Sequence, residues 1–157
     1  MLSIEEAVRT ILDNIRVLEP ETKPILDCLG QVLAEDVRSE ITVPPADVSA
    51  VDGYAVQWES LREGIRGGTV ELRVIGHAAA GHGFMGVVGR GEAVRIMTGA
   101  PIPAAADTVV PFEDTDEDAA AGSQAGVIRI SVALVRGAHI RRAGMDVREG
   151  EVVLRQG

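Results

Sequence analysis

Apolar residues return every three or four positions from Ser3 to Ile15. Ile4, Ala7, Val8, Ile11, Leu12 and Ile15 share one face, while Glu5, Arg9, Asp13 and Asn14 fall mostly elsewhere. That spacing predicts an amphipathic helix. Ser3 ahead of it and Glu6 three residues later supply a capping box. A second short helix is predicted from Pro24, a favourable first-turn residue, to Gly30.

Beyond Gly30 the pattern becomes short, β-type and often alternating. The runs Val32–Val37, Tyr54–Gln57, Val70–Ile75, Ala93–Met97 and Val127–Ile130 predict strands, punctuated throughout by glycine and proline. Gly76–Gly91 is small and glycine-rich with Phe84 as its one large anchor, which predicts turns and loops around short strands. Ser60–Glu63 adds a helical turn. Pro44-Pro45 predicts a break, because the residue before each proline is pushed towards extended geometry. A second break is expected near Gly137, where a strand-like run gives way to a polar, arginine-bearing segment. The expected fold is therefore mainly β with some α+β character: an N-terminal helix and a split β-rich module, residues 1–46 plus 137–157, with a second module inserted at 47–136.

Composition narrows the function. The 157 residues are 46% hydrophobic and 25% charged, which is the balance of a folded chain and not of a disordered one. Twenty-four acidic side chains against 15 basic ones give a net charge of −9. This argues against nucleic acid or an anionic membrane as the main partner, since both select for lysine and arginine. A small anion held by a few well-placed groups stays compatible. Cys28 stands alone, so no intrachain disulfide can form, and its leucine neighbours predict a small buried apolar residue. The acidic N-terminus and the lack of a long apolar run give the expectation of a soluble, cytoplasmic protein.

Four stretches carry candidate chemistry. In Pro44-Pro45-Ala46-Asp47-Val48-Ser49-Ala50-Val51-Asp52-Gly53-Tyr54-Ala55, Asp52 stands before a strand, either as a projecting carboxylate or as a turn residue bonded to its own backbone. In Arg95-Ile96-Met97-Thr98-Gly99-Ala100-Pro101-Ile102-Pro103, a strand runs into a loop with a hydroxyl and a glycine. Such a loop can present N–H groups to an anion, or be simply a rigid connection. Glu113–Asp118 places five carboxylates in six positions, a solvated acidic loop or a site for a hard cation such as Mg²⁺. In His139-Ile140-Arg141-Arg142-Ala143-Gly144-Met145-Asp146, two adjacent arginines can clamp a phosphate or belong to a surface ion-pair network. His77, His82 and His139 are scattered and form neither a metal triad nor a nucleophile–base pair.

Taken in order, the capped helix, Pro-Pro-x-Asp-x-Ser-Ala-x-Asp-Gly-Tyr-Ala, Arg-Ile-Met-Thr-Gly-Ala-Pro-Ile-Pro and Arg-Arg-x-Gly-x-Asp resemble the MoeA/gephyrin family of molybdopterin molybdenumtransferases from about Ser3 to Gly157. The resemblance implies insertion of molybdate into adenylylated molybdopterin with a divalent metal, Mg²⁺, in a multi-domain homodimer. It places Asp52, Thr98 and Asp146 as catalytic residues, Arg141, Gly99 and Ser49 as substrate-binding, and Asp52 as the metal ligand. The family pattern usually reads Phe-Asp-Asn-Ser-Ala-Met-Asp-Gly-Tyr-Ala and Arg-Arg-x-Gly-Glu-Asp; here Ala46, Val48, Val51 and Met145 depart from it. Family members continue into a pterin-binding domain. The expectation is thus an N-terminal portion inactive alone, with a non-catalytic dimerisation or scaffold module as the alternative. A standalone metal hydrolase built on Glu113–Asp118 is the third reading.

Overall fold

A computed structural model describes residues 2–65, 68–116 and 126–157, with side chains described to Arg62 in the first stretch. In chain order the elements are α1 (Ile4–Asp13), β1 (Val37–Arg38), β2 (Val48–Ser49), β3 (Gly53–Val56), α2 (Trp58–Ile65), β4 (Val70–Ala78), β5 (Glu92–Ile96), β6 (Thr108–Pro111), β7 (Val127–Ile130), β8 (Ile140–Arg141) and β9 (Val152–Leu154). The protein is mostly β with few helices. It divides into two compact units, Met1–Val37 with Val152–Gly157, and Arg38–Glu151. The expected boundaries at 46/47 and 136/137 both lie inside the second unit.

In the first unit, α1 forms where its periodicity predicts it. Both halves of the capping box are present: the Glu6 N–H donates to Ser3 Oγ at 3.2 Å and the Ser3 N–H to Glu6 Oε2 at 2.9 Å. The stripe is not buried within the unit: Ile4, Ile11, Leu12 and Ile15 are all exposed. No described residue of this unit is buried. Two expectations fail there for that reason. Cys28 is exposed, not buried, because Leu26 and Leu29 beside it are themselves exposed and build no core around it. The run Val32–Val37 enters a strand only at Val37, since β propensity without a face to bury against does not make a ladder. The predicted Pro24–Gly30 helix is a single 3₁₀ turn, Ile25–Asp27.

The second unit is organised by a five-stranded sheet in the order β6-β3-β5-β4-β7, antiparallel except for the parallel β4–β5 pair. Both faces are covered. Tyr54, Val56, Leu72, Ala93, Val110, Ile128 and Ile130 pack on one side with Leu61 of α2. Ala55, Ala78, Val94, Ile96 and Val109 pack on the other with Val88 and Ala100. Alternation along β3 sends Tyr54 and Val56 one way and Ala55 the other, as the pleat requires. Strand β4 is longer than predicted. A register irregularity between Val74 and Gly76 lets it run to Ala78, with the Phe84 ring lying against Gly76 and Gly86. A Cβ at either glycine would stand 2.5 Å from that ring, so Phe84 anchors the loop only because both positions are glycine.

A shorter antiparallel run lies outside this sheet. Strand β2 pairs with β8, Val48 opposite Arg141 and Ser49 opposite Ile140, and Val43 bridges Val147 further along. The Pro44-Pro45 segment, which includes a cis Val43–Pro44 bond, is hydrogen-bonded along this run: Asp146 N–H donates to Val43 O at 3.0 Å and Gly144 N–H to Pro44 O at 2.9 Å.

Candidate functional site

Asp52 occupies the turn between β2 and β3, and Thr98 follows β5, the neighbour of β3 in the sheet. Pairing of Gly53 with Ile96 therefore brings the two strand ends together. Asp52 Oδ1 accepts two hydrogen bonds from Thr98, from its N–H at 2.7 Å and from its Oγ1 at 2.7 Å. These bonds, hydroxyl first and backbone second, hold the Asp52 carboxyl below its usual range; the Arg95 charge adds to them, and partial burial opposes. Neither bond uses Oδ2. Gly53 is needed beside it, because a Cβ there would stand 2.0 Å from Val110 O and force β3 away from β6.

The Thr98 loop is a tight turn. The Ala100 N–H donates to Met97 O at 2.9 Å, and Gly99 takes a φ of +79°, which favours glycine. Segment 47–50 holds this turn from one side. Gly99 N–H donates to Ser49 O, and Ser49 N–H to Ala100 O, each at 2.9 Å; Ile102 N–H donates to Asp47 O at 3.0 Å. Ser49 itself is buried. Its hydroxyl donates to Val51 O at 2.6 Å and so shapes the turn that carries Asp52.

The same segment is bonded on its other side to the arginine-bearing stretch. Ala50 N–H donates to His139 O at 2.9 Å, alongside the β2–β8 pairing. Arg141 Nη2 lies 2.6 Å from both Oδ1 and Oδ2 of Asp146, with each side chain nearly half exposed. Arg142 turns the other way and binds Asp47: Nη1 lies 2.5 Å from Asp47 Oδ2, and the Ala143 N–H donates to Asp47 Oδ1 at 2.9 Å. The Ala143 N–H and then Arg142 lower the Asp47 carboxyl below its usual range. Gly144, buried at φ +68°, makes the bend between Arg141 and Asp146; a Cβ there would stand 2.8 Å from Arg148 Cγ.

The structure therefore joins Asp52 to Thr98 and Arg141 to Asp146, with β2 bonded to the neighbours of both pairs. Of the departures from the family pattern, Val48 is a buried β2 residue and Met145 is exposed. Asp47 is the residue that sequence reasoning passed over; the paired arginines were the available signal, since one of them needed a carboxylate partner. Asp116 is bound to Arg129, while Glu117 and Asp118 lie outside the described residues. Among the described residues no group of three or more His, Cys, Asp or Glu could hold a metal ion. Asp52 offers a single carboxylate, which fits a Mg²⁺ that keeps its waters or arrives on a phosphate, not a protein-built cage.

Chemically, the loops at the ends of β3 and β5 present a carboxylate and a hydroxyl, and the neighbouring β2–β8 pair carries the Arg141 guanidinium. The fold is that of a mostly β domain. Residues 2–157 match the family model described as MoeA N-terminal region (domain I and II). The chain is 38% identical over 157 residues to molybdopterin molybdenumtransferase 2 of Mycobacterium tuberculosis, and 36% identical over 160 residues to a molybdopterin molybdenumtransferase of Haemophilus influenzae. In each case all of this chain and 37% of the relative are covered. A crystal structure of the molybdopterin biosynthesis MoeA protein from Pyrococcus horikoshii OT3 superposes with a TM-score of 0.86 at 34% identity, covering 100% of this chain and 40% of that one. The chain belongs to the MoeA N-terminal region family and is homologous to the N-terminal part of these molybdenumtransferases, spanning about 37% of the relatives' length. No helix among the described residues is long and apolar enough to cross a membrane.

Proposed function

We propose that this chain supplies the N-terminal, oxyanion-handling part of a cytoplasmic molybdopterin molybdenumtransferase, which inserts molybdate into adenylylated molybdopterin during molybdenum cofactor biosynthesis. The observation that carries this reading is the Asp52–Thr98 pair. A carboxylate is kept ionised by two donors on one oxygen, leaving the other unused by them, at the strand ends of a rigid sheet. Mg²⁺, when bound, would neutralise phosphate charge and polarise it. Asp52 Oδ2 is the atom of this chain suited to hold the cation. Thr98 orients that carboxylate, Gly99 permits close approach of ligand to backbone, and Ser49 shapes the turn. Arg141 supplies positive charge for an anion in a chain of net charge −9, and Asp146 fixes its guanidinium.

Asp52, Thr98, Arg141 and Asp146 are all exposed, so no described residue closes a reacting centre off from water. The reading therefore includes that the 157 residues by themselves do not catalyse. Measured molybdate insertion by the purified chain alone, at a rate comparable with a complete enzyme, would overturn that part. The exposed apolar residues of α1 support a homodimer in the working enzyme. They equally favour the second reading, a non-catalytic dimerisation or scaffold module. The two separate in one experiment: Asp52→Asn or Thr98→Ala is introduced into the gene encoding the chain, in its own cell, and molybdenum cofactor is quantified. Loss of cofactor with the protein still folded supports the catalytic reading; wild-type levels transfer support to the scaffold.

A further inference from the structure

The Arg-Arg pair in the last motif looks like a two-pronged anion clamp, and the structure divides it. Arg141 goes to Asp146, while Arg142 goes to Asp47, ninety-five positions earlier in the chain. Asp47 is bonded in three directions. Its carboxylate accepts from Arg142 Nη1 at 2.5 Å and from the Ala143 N–H at 2.9 Å, and its backbone carbonyl accepts from the Ile102 N–H at 3.0 Å. Ile102 lies in the Thr98–Pro103 loop, and Ala143 lies in the bend between Arg141 and Asp146. A single residue thus touches both loops that carry the proposed site, and it stands directly before β2, which leads to Asp52.

We propose that Asp47 is a positioning residue: clasping Arg142 and Ala143 with its carboxylate, it sets the Arg141–Asp146 pair relative to the Asp52–Thr98 pair and keeps Arg142 out of the anion site. The stretch 142–146 is short, is bent by a glycine at positive φ and has exposed side chains on both arms. The Asp47 carboxylate is the polar group that reaches into this bend from the first motif, and it takes a guanidinium and a backbone N–H at once, a two-point hold that fixes direction as well as distance. Backbone bonds to Val43 and Pro44 anchor the far side of the bend, and the Met145 N–H bond to Arg142 O and the Arg141–Asp146 pair close it internally. Without the Asp47 carboxylate, the β2–β8 pairing would still hold Arg141, but the bend would lose its side-chain hold at Arg142 and Ala143, and Arg142 would add an unclasped cation beside the Arg141–Asp146 pair.

This inference deepens the proposed function where it speaks of molybdate, and its structural half stands apart from it. Two measurements separate them. In the purified chain, amide resonances of Arg141–Asp146 and Thr98–Ile102 are compared between wild type and Asp47→Asn, an isosteric change that drops the charge. Both groups are expected to move, while those of Leu72 and Ile128 in the core stay in place. Unmoved signals at both loops would overturn the clasp; signals shifted everywhere would reduce Asp47 to an ordinary stabilising residue. In the cell, cofactor formation is measured against molybdate concentration. Asp47→Asn and Arg142→Gln are each expected to raise the half-maximal molybdate by roughly fivefold or more with the plateau retained, and the double variant no further than either single. Additive shifts, or a lowered plateau with unchanged half-maximum, would overturn the positioning role. Should Asp52→Asn leave cofactor formation intact while the resonance result holds, the proposed function fails and the clasp survives.

Discussion

Replacing Thr98 by valine exchanges its hydroxyl for a methyl group and removes one hydrogen-bond donor. Valine keeps the shape and β-branching of threonine, and the Thr98 N–H bond to Asp52 Oδ1 at 2.7 Å is untouched. Only the Oγ1 donor, also at 2.7 Å from Oδ1, is lost. A hydrogen bond to a charged group contributes about 1.5–3 kcal/mol. Asp52 is exposed, so water replaces much of what is removed, and the expected loss is discounted to about 0.5–1 kcal/mol. The pH dependence identifies the cause. Asp52 sits below its usual range in the folded protein, mainly through this hydroxyl. A depressed carboxyl adds stability above its unfolded-state pKa and loses it as pH falls through the folded value. Thr98→Val reduces the depression, so the variant is less stable at neutral pH and the gap closes in acid, where the carboxyl is protonated in both proteins. Urea unfolding of the chain from neutral to strongly acidic pH reads this directly, with an unchanged slope against urea showing that the folded state keeps its compactness. Thr98→Ser, which keeps the donor, should preserve the wild-type pH profile. A gap of the same size at every pH would mean that the loss comes from packing and would refute the argument, as would a valine variant equal to wild type at neutral pH.

Four further outcomes follow from single positions. Gly53→Ala puts a methyl carbon 2.0 Å from Val110 O, so β3 and β6 must part; a loss of about 1–3 kcal/mol or more is expected in thermal or urea unfolding, and an unchanged midpoint would contradict the contact. Asp107→Ala removes the acceptor of the first N–H of α2, since Asp107 Oδ1 lies 2.6 Å from Trp58 N, and should cost about 1 kcal/mol. Arg136→Gln, which leaves that bond and removes only the exposed partner of Asp107, should cost much less in the same assay. Ser3→Ala breaks the capping box of α1, lowering helix content by circular dichroism and speeding exchange of the Glu6 amide, without moving the unfolding midpoint of the sheet unit.

Much of the site was legible before the fold. The strings around Asp52, Thr98 and Arg141 are contiguous, each built from a strand end, a glycine and a polar residue, and turn chemistry of that kind is written locally. Strands β3, β5 and β7 likewise follow from their β-prone residues, and β7 alternates exposed and buried positions outright. The two-residue strands β1, β2 and β8 are too short to show any period. Strand β6, Thr108–Pro111, was missed because a four-residue apolar run buried on both faces has no alternation to read.

Sequence by itself determined the capped helix α1, the mainly β character and the family, since these rest on local spacing and on ordered motifs. Tertiary structure decided which groups meet. Thr98 reaches Asp52 because Gly53 pairs with Ile96 across the sheet, and Asp47 reaches Arg142 because the β2–β8 pairing brings residues ninety-five positions apart side by side. It also decided that Cys28 and the apolar stripe of α1 are exposed. Periodicity specifies that a face is apolar; only the packing of the rest of the chain determines whether anything covers it.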